Sequence, residues 1–189
     1  MKHFTRALLL IFLLSATTSF AQTFKFGHIN SQELINVMPE RDSALVKLDK
    51  HRQDLQATLL EISNEYQSKL LQYQQKQATW TAATLEIKQK ELQDIQSSYN
   101  QFNEKAEYEF QQMRQLLFEP VYQKAKETIE AIGKEQGFTY IFDISTGPIA
   151  YFDKDKSTDI LPIAKAKLNI PADKVPMQIP QPQEGAPAQ

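Results

Sequence analysis

Few residues in this chain have side chains suited to catalysis or to metal binding. The 189-residue sequence has no cysteine, which excludes disulfides, thiolate nucleophiles and cysteine-ligated metals. Of its histidines, His28 falls in a predicted strand and His51 in a predicted long helix, and nothing in the spacing brings them together. No nucleophile elbow, H-E-x-x-H motif or phosphate-binding loop occurs. We therefore expect no enzyme, no metal and no cofactor, and we interpret His28 as a packing residue rather than a pH sensor or a metal ligand.

Aromatic side chains are the remaining candidates for function. Five of them occupy positions of a helical apolar seam, where they either pack between two helices or leave part of each ring free to contact another protein. Trp80 lies beside a predicted turn with little to pack against, so local packing and contact with another protein or a membrane both stay open. The five seam aromatics are Tyr66, Tyr73, Tyr99, Phe102 and Phe110.

A long stretch without helix breakers positions these aromatics. Between residues 41 and 132 there is no glycine and only one proline, Pro120. Apolar residues recur in steps of three and four on both sides of residues 78–84, which are uncharged and rich in alanine and threonine. We predict an antiparallel helical hairpin over 41–136 with its tip near 78–84, rather than one continuous helix in a parallel coiled coil. We expect Pro120 to act as a hinge that kinks the second arm.

The N-terminus has the pattern of an export signal. Lys2 and Arg6 precede a short apolar run, and a small-x-small motif ends at Ala21. The apolar run is about half the roughly 20 residues that a membrane-spanning helix needs, so a signal peptide over 1–21, cleaved before Gln22, is favoured over an anchor. Loss of Lys2 and Arg6 leaves 19 basic against 23 acidic residues, a charge of −4. Such a balance argues against an electrostatic nucleic-acid binder.

Strand-like segments flank the helical hairpin and predict a small β-containing body. The first part, 22–40, contains a strand and a short helix that Asn30 can cap. The second part, 137–170, contains a predicted β-hairpin with strands at 138–144 and 149–152, followed by a helix. The segment 171–189 is rich in proline and glutamine, so we predict a disordered tail.

The body is too small to be self-sufficient, so we expect several copies to associate through strand edges at 24–29 and 138–144. The candidate residues for the body and its association are Phe24, Phe26, Ile29, Tyr140, Phe142, Ile144 and Tyr151.

The two flanking segments resemble the Skp or OmpH-like family of periplasmic outer-membrane-protein chaperones. The resemblance runs from about Phe24 to Leu168 and rests on its two ends. These are Lys25-Phe26-Gly27-His28-Ile29-Asn30-Ser31, and Gly137-Phe138-Thr139-Tyr140-Ile141-Phe142-Asp143 with the later Ala150-Tyr151 and Thr158-Asp159-Ile160. It implies an α+β fold in which a small trimerising β-body carries long antiparallel coiled-coil arms around a central cavity.

The same resemblance implies a function in the periplasm. Members of the family hold unfolded outer-membrane β-barrel proteins in the cavity without ATP, so Trp80 and the five seam aromatics become candidate contacts with such clients. The alternative is a structural coiled-coil scaffold or spacer of the envelope. Familiar members are strongly basic, whereas the mature chain carries −4, so no lipopolysaccharide-binding residues are carried over and contact with a membrane surface stays open. We expect client binding to be mainly apolar.

Overall fold

The computed structural model describes residues 24–147 and 149–179, so the predicted signal peptide, including Ala21 and Gln22, lies outside the described residues. Two helices dominate the described chain, and a 3-10 turn at Gln77–Thr79 joins them. A three-stranded sheet accompanies them, which confirms the α+β fold class. In chain order the elements are β1 (Phe26–Ile29), α1 (Ser31–Val37), α2 (Pro39–Lys76), α3 (Ala82–Gln136), β2 (Tyr140–Asp143), β3 (Ser157–Asp159) and α4 (Leu161–Lys167).

The helices α2 and α3 form an antiparallel hairpin, which is called the arm below. Two ion pairs cross between them, Lys69 with Glu91 and Glu40 with Lys124, and His51 Nε2 lies 3.4 Å from Glu109 Oε1. The residue numbers rise along one helix as they fall along the other, which defines the antiparallel direction. With 38 residues in α2, the arm is about 57 Å long at 1.5 Å per residue.

Local signals in the sequence fix the ends of the arm helices. Met38 is extended and Pro39 is the first residue of α2, where the missing N–H group of proline leaves no helical hydrogen bond unmade. The Thr81 hydroxyl accepts a hydrogen bond from the Thr84 amide and caps α3, so the turn spans 77–81 and the expected tip residues 82–84 are helical. Gly137 ends α3 with a φ of 68°, a conformation that favours glycine. Pro120 lies inside α3, which continues past it.

The sheet differs from the predicted β-hairpin. Its order is β2-β1-β3 and both outer strands run parallel to the central β1. Residues 149–152 are not a strand, so this part of the prediction was wrong. The polar triplet Ser157–Asp159 occupies the second edge of β1 instead, and the Ile160 amide donates to the His28 carbonyl at 3.0 Å. Because β1 is central, both of its edges are paired within the chain, so the predicted association of copies through a strand edge at 24–29 was wrong.

The core of the body lies between the inner face of the sheet, α1, α4 and the base of the arm. Met38 and Ile160 are fully buried there, and Ile132 of α3 is 1% exposed. Ile29 is also 1% exposed, so this candidate for association between copies is a core residue of its own chain. Its carbonyl accepts a hydrogen bond from the amide of half-buried Ile144 at 2.9 Å, which ties the end of β1 to the segment after β2.

The segment after α4 also departs from the prediction. Ile170 is buried in the core, and residues 171–179 run without helix or strand to the base of α2, where Lys174 and Met177 make polar contacts. The expectation of a disordered tail that begins at residue 171 therefore does not fit these residues. Residues 180–189 of that tail lie outside the described part of the chain.

Candidate functional site

One surface of the sheet carries a cluster of exposed aromatic rings, which is called the aromatic face below. The rings of Phe26 and Tyr140 lie nearly parallel, with centroids 6.2 Å apart, and Phe142 follows at 6.0 Å from Tyr140. Phe24 extends the cluster at 6.3 Å from Phe26. Phe24 and Tyr140 are each 59% exposed, so the described part of the chain leaves the cluster uncovered. Tyr151, the last of the exposed candidates, is 83% exposed.

The parallel register explains why these rings share a face. Phe26 pairs with Tyr140 and His28 with Phe142, and side chains alternate between the two faces of a strand. The opposite face of β1 presents Gly27 and buried Ile29 to the core. A Cβ atom on Gly27 would lie 3.0 Å from the Phe138 ring, so a larger residue would require this ring to shift by a few tenths of an ångström.

His28 is a packing residue of the sheet. Its ring is half-buried, stands 4.6 Å from the Phe152 ring and places Nδ1 2.9 Å from the Ser157 hydroxyl. Segment 149–152 therefore meets β1 through a side chain rather than through backbone pairing. Within 24–147 and 149–179, no group of three or more histidine, aspartate or glutamate side chains is arranged to hold a metal ion.

Asp143 joins the end of β2 to the start of α1. Its carboxylate accepts hydrogen bonds from the Ser31 hydroxyl at 2.5 Å and from the Ser31 amide at 3.2 Å. The Ser145 amide donates to the same carboxylate at 2.9 Å. Burial favours the neutral acid, but these hydrogen bonds from Ser31 and Ser145 outweigh it and hold the pKa of Asp143 below its usual value. The contact is structural and orients α1 against the sheet.

The seam aromatics of the arm are half-buried in the structure. This holds for each of Tyr66, Tyr73, Tyr99, Phe102 and Phe110. Half-burial is the exposure expected of rings at a seam between only two helices, which cannot cover them completely. Packing between the arm helices and contact with a client both remain predictions for these five residues.

Trp80 packs locally at the tip of the arm. Its ring meets the Tyr73 ring edge-on with centroids 5.8 Å apart, and Gln89 donates to the Tyr73 hydroxyl at 2.9 Å. The indole is half-buried and its remaining surface faces outward. The tip therefore combines a partly exposed tryptophan with the uncharged residues 77–84.

Reasoning from the seam missed a second group of apolar residues on the arm. Five large side chains outside the seam are between 58% and 68% exposed, and they are called the arm apolar set below. Three of them belong to Leu-Leu pairs, and successive residues in a helix point about 100° apart, so both members cannot enter one seam. The Leu-Leu pairs were the feature of the sequence from which exposed apolar residues on the arm could have been predicted. The set consists of Leu60, Leu71, Ile87, Tyr108 and Leu116.

Ion pairs hold the two arm helices in register. Glu91 of α3 accepts hydrogen bonds from Lys69 of α2 and, at 2.7 Å, from Lys88 of its own helix. The hydrogen bond from Lys69 is the main cause that lowers the pKa of Glu91, and the same bond raises the pKa of Lys69. Because these groups are solvent-exposed, such pairs contribute little to stability and more to alignment.

Comparisons with known proteins agree with the fold and with the two end segments. A family model described as "Outer membrane protein (OmpH-like)" matches residues 25–168. The chain therefore belongs to the OmpH-like family, which confirms the resemblance noted in the sequence. Its structure is also similar to the crystal structure of a proposed outer membrane chaperone (OmpH-like) from Caulobacter crescentus CB15. That match has a TM-score of 0.67 at 15% identity and covers 82% of this chain and 92% of the other.

No curated protein matches the chain. At 15% identity the structural match establishes the shared fold and nothing about binding. Among the described residues, no helix combines the length and the apolar character needed to span a membrane.

Proposed function

We propose that this protein is an ATP-independent periplasmic chaperone that holds unfolded outer-membrane β-barrel proteins between helical arms. The observation that carries the proposal is the arm apolar set, since its five large side chains stand exposed along the two arm helices and can contact another chain. Membership of the OmpH-like family supports the same function.

Scattered contacts suit a client without fixed structure. Each exposed leucine or isoleucine can cover a short apolar segment and release it again, because a single contact contributes only a small free energy. Several such contacts within one assembly raise the effective concentration of client segments near the arms. Release then needs no nucleotide, since a client that folds in the outer membrane leaves the unfolded pool and shifts the binding equilibrium.

We further propose that three copies assemble through their bodies. The aromatic face is exposed in the single chain, and the body around it is small for an independent domain. Burial of Phe24, Tyr140 and Phe142 against other copies would remove these rings from water. Assembly would also place three arms around one cavity, as the resemblance to Skp implies.

Suppression of aggregation tests the proposed activity. An outer-membrane β-barrel protein is diluted from urea into buffer, with and without the mature chain, and light scattering is followed. At one trimer per client we expect scattering to be largely suppressed without ATP. Unchanged scattering would contradict the chaperone activity and would favour a structural spacer.

A further inference from the structure

The segment of residues 171–179, called the strap below, links the body to the base of the arm. It starts from Ile170, which is 5% exposed in the core, and the Lys165 ammonium of α4 donates to the Ala172 carbonyl at 3.2 Å. The Lys174 amide closes a turn onto the Pro171 carbonyl at 3.1 Å. One end of the strap is therefore fixed to the body.

The other part of the strap is fixed to the first turn of α2. The Lys174 ammonium lies 2.6 Å from Asp42 Oδ2, and the Arg41 guanidinium donates to the Met177 carbonyl at 3.1 Å. The Lys174 and Asp42 side chains are only 24% and 20% exposed, so solvent screens their attraction less than that of a surface pair. Arg41 also donates to the Asn36 carbonyl of α1 at 3.3 Å, which brings α1, α2 and the strap together.

Both arm helices have a weak point in their backbone at this level. Met38 is extended where α1 gives way to α2. Pro120 of α3 has no N–H group to donate to the carbonyl of Leu116, which removes one helical hydrogen bond. The Glu40–Lys124 ion pair places Pro120, one turn before Lys124, level with the first turns of α2. Helical hydrogen bonding is thus incomplete in both chain segments at the base of the arm.

We propose that the strap is a brace that holds the base of the arm against the body. It crosses the junction at Met38, ends on Arg41 and Asp42, and opposes separation of α2 from the core. Asp42 makes the arrangement sensitive to loss of Lys174. Its Oδ1 atom is buried without a hydrogen bond, and Arg41 at 3.7 Å would be its nearest remaining cation. The strap lies beyond residues 25–168, the part of the chain that the family model matches.

Hydrogen exchange of the full mature chain, followed by mass spectrometry, tests the brace. A chain that ends at Ile170 should exchange about threefold faster or more in peptides covering 39–48 and 116–124, because local opening of the base becomes easier. Peptides of the body core around β1 and of the middle of the arm should keep their rates. A chain that ends at Ile179 retains the strap and is the matched control, with unchanged rates throughout.

Single substitutions make the test independent of the truncation. Lys174→Ala should accelerate exchange at the same two peptides, whereas Val175→Ala should not, since Val175 is 78% exposed on the same strap. Combining Asp42→Lys with Lys174→Asp should restore part of the protection. If the truncated chain does not fold, Lys174→Ala decides alone. Unchanged exchange at the base, or equal acceleration over the whole chain, would overturn the brace.

Discussion

At the scale of single residues, Asp143 has the clearest structural role. It lies at the end of β2 and accepts hydrogen bonds from the amide and hydroxyl of Ser31, at the start of α1. The two residues are 112 positions apart, with the whole arm between them. One carboxylate thus joins the two halves of the body that the arm separates in the sequence.

We expect Asp143→Asn to destabilise the protein by about 1–3 kcal/mol, because it removes a charged acceptor from a partly buried hydrogen-bonded group. Urea unfolding at neutral pH and fixed protein concentration measures this loss. Asp94→Asn, at an exposed position of the arm, is the matched control and should leave the midpoint unchanged. Equal midpoints for the wild type and the Asp143 variant would contradict the assigned role.

The pKa of Asp143 also predicts how stability depends on pH. The folded-state pKa is lower than that of the unfolded chain, so the carboxylate contributes its full stability above the unfolded value. That contribution decreases as the pH falls from the unfolded-state pKa to the folded-state pKa, and it is absent below the folded-state pKa. The difference in unfolding free energy between wild type and Asp143→Asn should therefore shrink in acid. A constant difference across this range would contradict the assignment.

Trp80 offers a direct report on the tip, because it is the only tryptophan of the chain. We expect its emission to shift to shorter wavelength, and acrylamide quenching to decrease, when a β-barrel client without tryptophan binds. The physical reason is that the exposed part of the indole would leave water. Emission that does not change at saturating client would show that the tip does not contact clients and that Trp80 serves local packing with Tyr73.

At the scale of elements, the arm combines a narrow seam with exposed apolar residues outside it. We expect Leu60→Gln, Leu71→Gln and Ile87→Gln in one chain to weaken client binding roughly tenfold, with about 0.5 kcal/mol lost at each partly covered side chain. The melting temperature should stay within a few degrees, since none of the three is a seam residue. Fluorescence anisotropy of a labelled client, held unfolded at low concentration, measures the affinity.

A second triple variant controls for general changes to the arm surface. Gln56→Ala, Gln67→Ala and Gln93→Ala alter three exposed polar positions on the same helices and should leave affinity unchanged. If both triple variants bind equally well, the arm apolar set is not the client-binding surface. The seam aromatics would then be the next candidates.

Elements with local signals could be predicted from sequence, whereas those defined by distant contacts could not. Pro39, Thr81 and Gly137 mark helix ends through their own backbone chemistry, so the arm and its turn could be recognised. The strand at Ser157–Asp159 could not, because this polar triplet has no apolar alternation and becomes a strand only by pairing with β1. The strap was missed for the same reason, since its composition suggests disorder and its order comes from Arg41 and Asp42.

The residues of the candidate site likewise include some that local sequence predicts and others whose arrangement depends on distant contacts. The seam aromatics were identified by helical spacing, and all five are half-buried in the structure. The aromatic face was only partly predictable. Phe24 and Phe26 stand at alternate positions of a predicted strand and so share one face, but the stacking of Phe26 on Tyr140 depends on a parallel pairing that spans the whole arm. For Ile29 the same alternation gave no sign of which face would be buried.

At the scale of the whole molecule, the charge balance separates this chain from an electrostatic binder. The full sequence carries a net charge of −2, which becomes −4 without the predicted signal peptide, and the proposed client contacts are apolar. We expect client affinity to change less than about threefold between 50 and 500 mM NaCl, because screening acts on charges and not on apolar burial. The affinity titration repeated over this salt range measures it. A steep loss of affinity with salt would show that charge attraction, and not the arm apolar set, holds the client.

The central claim is that three arms enclose one unfolded client. Native mass spectrometry of the mature chain, mixed with a urea-diluted outer-membrane β-barrel protein, tests it most directly. The account predicts a trimer without client, and a single complex of three chains and one client after mixing, with no nucleotide present. A monomer that forms no complex, while the client aggregates separately, would contradict both the assembly and the proposed function.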